Sequence, residues 1–62
     1  MNKVKINEKL QNIFDTLYNV ENDLLKLQTM LNKMDNAESS SWAAGAEGSV
    51  RQAIEELENI NV

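Results

Sequence analysis

Residues 6–34, INEKLQNIFDTLYNVENDLLKLQTMLNKM, decide the fold. Within them Ile6, Leu10, Ile13, Leu17, Val20, Leu24, Leu27, Leu31 and Met34 follow one another in alternating steps of four and three. Such steps bring a side chain back to the same side of an α-helix, so the spacing predicts one long helix with a heptad seam. No glycine or proline interrupts residues 1–44, and nothing local stops the helix before the polar run from Asp35 to Ser41. The turn is expected inside that run, at about 36–41, with Ser39, Ser40 or Ser41 accepting hydrogen bonds from the free amides of a new helix.

The same arithmetic resumes beyond the turn, where Ala43, Ala46, Val50, Ala53, Leu57 and Ile60 again step by three and four and Ile54 widens the stripe. The expected organisation is a single domain over residues 1–62, with helix one at about 4–35 and helix two at about 42–60. Gly45 and Gly48 weaken the start of helix two by up to about 1 kcal/mol each relative to alanine. A later start near Ser49, capped by Ser49 with Gln52, is the alternative. Running the helices antiparallel about residues 36–41 pairs Met34 with Ala43, Leu27 with Val50, Val20 with Leu57 and Leu17 with Ile60. The alanines then permit close approach near the turn.

One such hairpin is expected to be insufficient alone. The chain has 62 residues, and a domain this small buries proportionately little surface. It has no cysteine and no histidine, which removes disulfides and the usual zinc ligands and leaves self-association as the reinforcement. A first helix of roughly 30 residues is about 45 Å long and a second of roughly 19 is under about 30 Å, so helix one overshoots. The overshoot carries Ile6, Leu10, Ile13 and Phe14, each worth about 1.5–3 kcal/mol when fully buried. Phe14, Tyr18 and Leu25 add a second apolar strip. The expected interface between copies is therefore Ile6, Leu10, Ile13, Phe14, Leu17, Tyr18 and Leu25. Leucine at one register position (Leu10, Leu17, Leu24, Leu31) with Ile6, Ile13 and Val20 at the other is an order that favours four-stranded assemblies in parallel coiled coils. The fold expected is all-α, an antiparallel hairpin of a long and a shorter helix assembling into a homo-oligomeric helix bundle, a dimer or higher.

Charge narrows the partners. The net charge is −4, and it is uneven: residues 1–37 balance five lysines against five acids, whereas residues 38–62 set Arg51 alone against five glutamates. An acidic second half repels duplex DNA and anionic membranes. No apolar run approaches the roughly 18 residues of a membrane span, and no secretory leader pattern opens the chain, so a cytoplasmic location is expected. Catalysis is the weakest reading, because neither His nor Cys is present and Glu55, Glu56 and Glu58 read as a solvated side of helix two. A di-metal carboxylate bundle needs a Glu-x-x-His pair, which this composition excludes, and no cofactor or metal is expected.

Ser39 to Gly48 is the most unusual stretch, joining the only tryptophan and both glycines to a cluster of hydroxyls. In one reading Trp42 covers Met30 and Met34 at the closed end, the serines cap the helix and the glycines permit close packing. In the other, Ser40, Ser41 and Trp42, with Arg51 or Lys33 as the cation, hold a small nucleotide signal between subunits. Arg51 lies four residues from both Glu47 and Glu55, which would neutralise it. The Trp42, Ala43, Ala44, Gly45 run at a helical bend superficially resembles the Trp-x-Gly turn of the secreted WXG100 proteins, with one residue more between Trp and Gly and a shorter chain. In size and architecture the chain also resembles Rop-like RNA-binding hairpins, whose basic face its acidic second half lacks. Neither resemblance assigns a family.

The function expected is a non-enzymatic interaction protein that binds and sequesters or blocks a partner macromolecule, with a protein as the expected partner. By analogy of size, a phage or mobile-element inhibitor of a host factor fits this description. The alternatives are the nucleotide sponge and a pure scaffold or assembly subunit.

Overall fold

A computed structural model describes residues 2–62, which form α1 (Lys3–Lys33) and α2 (Ala37–Glu58). The two helices pack against each other as a hairpin measuring 50 × 15 × 11 Å. With 31 and 22 residues they are unequal, α1 overshooting by about 13 Å at a rise of about 1.5 Å per residue. Asn2 starts α1, its side-chain oxygen accepting the Val4 amide at 2.9 Å.

The turn is shorter and earlier than the serine run suggests. Asp35 takes a left-handed backbone (φ 57°), its amide donates to the Asn32 carbonyl at 3.1 Å, and the Asn36 amide donates to the Leu31 carbonyl at 3.0 Å. This is the paired closure of a Schellman motif, made with aspartate where glycine is commoner. Asn36 then serves at once as the cap of α2: its side-chain oxygen accepts the Ser39 amide at 3.1 Å and its carbonyl accepts the Ser40 amide at 3.0 Å. Helix two therefore starts at Ala37, neither at Trp42 nor at Ser49, and Ser39, Ser40 and Ser41 lie inside it rather than at its cap.

The early turn changes which stripes meet. Counting outward equally from it brings Leu31 level with Ser40, Gln28 with Ala43, Leu24 with Glu47, Glu21 with Val50 and Leu17 with Ile54. Burial follows this register: the covered positions of α1 run through Leu17, Glu21, Leu24, Gln28 and Leu31, and those of α2 through Ser40, Ala43, Glu47, Val50, Ile54 and Leu57. Both sets step by three and four. The pairings expected from a turn at 36–41 are thus replaced by partners six residues away. Val20, Leu27 and Met34, expected in the seam, lie outside it and are exposed.

The resulting core is thin. Among the described residues the buried apolar side chains are Ala43 and Ile54, at 7% and 4% exposure, joined by Ser40 and Glu47. Ile6, Leu10, Ile13 and Phe14 on the overshooting end are half-buried rather than open. The glycines have no packing role, because a Cβ built on Gly45 or Gly48 would meet nothing within 4 Å.

Candidate functional site

The hairpin has two broad sides, and they differ in chemistry. Arg51 marks one of them. It lies one turn beyond Glu47 on α2 and donates to the Glu47 carboxylate through its terminal nitrogen, while its Nε reaches Glu21 of α1 at 3.4 Å. Glu47 is buried in the seam, and the guanidinium, itself largely exposed, closes the seam over it. The Glu47 hydrogen bond, then the one to Glu21, raises the Arg51 pKa above its ordinary range, so the group is cationic throughout. Every fully covered side-chain oxygen and nitrogen among the described residues has a partner. Glu55, the other carboxylate four residues from Arg51, makes no ion pair with it in this arrangement. Tyr18 and Leu25 are exposed on this side, next to the half-buried Phe14.

The second side carries a strip of apolar residues with Asp23 and Glu56 among them. Two wheels run antiparallel, with their covered stripes in contact, set Val20, Leu27 and Met34 of α1 beside Trp42, Ala46 and Ile60 of α2. Met30 flanks them. Trp42 is 76% exposed, Met34 75% and Met30 62%, so Trp42 does not cover the two methionines as expected, although all three lie on one side near the turn. Farther along the same side of α1, toward its free end, Lys9, Asn12, Ile13, Thr16 and Leu17 line a shallow open groove.

The residues read from sequence as a ligand site are dispersed. Ser40 is buried in the seam, whereas Ser41 and Trp42 are exposed. Arg51 is nine residues from Trp42, about two and a half turns, and so occupies the opposite side of α2. Lys33 ends α1 in solvent. One chain therefore keeps Arg51 away from the tryptophan and leaves no serine at the helix cap. Of the expected interface residues, Leu17 is half-covered in the seam, Tyr18 and Leu25 belong to the Arg51 side, and Ile6, Leu10, Ile13 and Phe14 lie toward the overshoot. The side bearing Trp42 and Met30 was not singled out as an interface by sequence reasoning. Its signal was the strip of large apolar residues at heptad spacing that remained once Glu21 and Gln28 were recognised as inward.

Among the described residues no cluster of three or more His, Cys, Asp or Glu is arranged to hold a metal ion, and no helix is long and apolar enough to cross a membrane. No protein-family model, curated protein or solved structure matches this chain, so the assignment rests on its own geometry.

Proposed function

We propose that this protein acts by association rather than by chemistry, as a homo-oligomeric helical hairpin that binds another macromolecule and sequesters or blocks it. One observation carries the reading: among the described residues the apolar side chains sealed inside a single chain are one alanine and one isoleucine, while three large ones, Trp42, Met34 and Met30, stand in solvent. Contiguous exposed apolar surface of this kind on a small folded chain marks a site of macromolecular contact. The composition supports the same reading from the other direction, since it lacks the histidine and cysteine on which most acid–base and nucleophilic catalysis relies.

Sedimentation equilibrium on the full chain, followed by co-purification from its native cell and titration of the recovered partner's activity, tests this. The expected result is a mass above 7.0 kDa and stoichiometric loss of the partner's activity. A folded 7.0 kDa monomer at micromolar concentration that retains nothing overturns it. Recovery of the chain with only itself reduces the role to that of a scaffold.

A further inference from the structure

The groove at Lys9–Leu17 and the bulky cluster at the turn lie on the same side of the hairpin, at opposite ends of it. Resting on the self-association proposed above, we propose that this side closes on a second copy of the chain, with the two turns at opposite ends of a four-helix bundle. In that arrangement Met30 and Met34 of one copy enter the groove lined by Asn12, Ile13 and Thr16 of its partner.

Three observations converge on a second copy as the occupant. The first is area. A globular chain of 7.0 kDa exposes roughly 4,000 Å², whereas this one exposes 4873 Å². The excess of roughly 800 Å² is what each partner contributes to a standard stable interface.

The second is self-complementarity along each helix. On α1 the stripe runs Lys9, Ile13, Thr16, Val20, Asp23, Leu27, Met30, Met34, from a groove at one end to large residues at the other, with one carboxylate near its middle. Reversed upon itself, it sets Met34 opposite Lys9, Met30 opposite Ile13, Leu27 opposite Thr16 and Asp23 opposite Val20, with the two-fold axis just beyond Val20. On α2 the stripe is Trp42, Ala46, Ser49, Ala53, Glu56, Ile60, large at both ends with small residues in the middle and one carboxylate toward the edge of the stripe. Reversed, it sets Trp42 over Ile60 and brings the small residues together where the helices must approach. The level of the axis found from α1 and that found from α2 agree within about two residues, about 3 Å of rise. An isologous contact requires this property, because one patch must fit its own inverted image.

The third is the overshoot. With the turns at opposite ends, the beginning of α2 in one copy lies diagonally across from Ile6 and Leu10 of the other, at the level where α2 of their own chain has ended. With the turns at the same end, that level holds only the overshooting α1 of the other copy, diagonally across, and no helix directly opposite.

The chain has no cysteine, which makes single-cysteine variants clean reporters. Full-length Lys9→Cys and Met34→Cys chains are mixed, oxidised and resolved by mass, and the assembly state of Met30→Glu and Trp42→Glu is measured by sedimentation with helix content followed by circular dichroism. Both substituted residues are exposed in one chain, so helix content should persist. The expected result is a crosslinked Lys9→Cys/Met34→Cys heterodimer, a parent mass of twice 7.0 kDa, and at least tenfold weaker association of each glutamate variant. An oligomer that ignores Met30→Glu and Trp42→Glu but dissociates on Tyr18→Glu with Leu25→Glu, or on Leu10→Asp with Ile13→Asp, overturns this face while leaving the proposed function standing. A dimer that loses association with Met30→Glu yet gives no mixed crosslink overturns the opposite-end arrangement. A monomer at every concentration removes both proposals.

Discussion

The seam between the helices and the open side bearing Trp42 use apolar residues in opposite ways. The seam is mixed: Leu17, Leu24, Leu31, Ala43, Val50, Ile54 and Leu57 are joined by Ser40, Gln28 and the Glu21, Glu47 and Arg51 group. The open side leaves Val20, Leu27, Met30, Met34 and Trp42 all exposed. The contrast teaches that a small hairpin can fold on a stripe that includes polar residues while leaving large apolar ones outside it. A few polar contacts and a tight turn fix the register, and five large apolar side chains are left exposed outside it.

The strongest way to break this contrast is Ile54→Ala. Removing a 4%-exposed isoleucine from so thin a core should cost about 2–4 kcal/mol, read by urea denaturation, with a loss that does not depend on protein concentration. Met30→Ala should instead destabilise by an amount that vanishes as the protein is diluted. If the two behave alike, the distinction between seam and open side is lost. Next in size is Asn36→Ala, which removes the side-chain acceptor for the Ser39 amide and should cost about 1 kcal/mol.

Asp35→Gly should act in the other direction. At φ 57° a glycine relieves the left-handed strain, and a gain of about 0.5–1 kcal/mol is expected in the same denaturation assay. The smallest effect is that of Arg51→Met, a modest loss that shrinks in added salt. Because the folded state raises the Arg51 pKa, its contribution is complete below the unfolded value and disappears only as pH rises through the folded one, far above neutrality. The Arg51→Met loss should therefore be constant across the neutral range, and a marked change there would show that another group titrates with it.

The length and helicity of α1, the shorter second helix and the exposed Tyr18 and Leu25 were legible in the heptad spacing, because the apolar period survives whatever the partner is. The turn was not. Three consecutive serines offered plausible caps, whereas the chain turns on Asp35 and Asn36, the residue types that best tolerate a left-handed backbone and cap a helix. That pair was the available signal. Once the turn is misplaced, the seam follows it: Val20, Leu27 and Met34 satisfy the heptad as well as Glu21 and Gln28 satisfy the true register, and hydrophobicity favours the wrong set. The candidate ligand residues dispersed for the same reason, since their proximity depended on where α2 begins.

Gly45 and Gly48 sit in α2 with open space where a side chain would be, so nothing in the packing demands them. Each lowers the intrinsic helicity of that stretch by about 1 kcal/mol relative to alanine. Helix two is thus the more fragile of the pair, held in shape mainly by lying on its neighbour. Its amide protons between these two positions should exchange with deuterium well before those in the middle of α1, while Asn36 still holds the first turn in place.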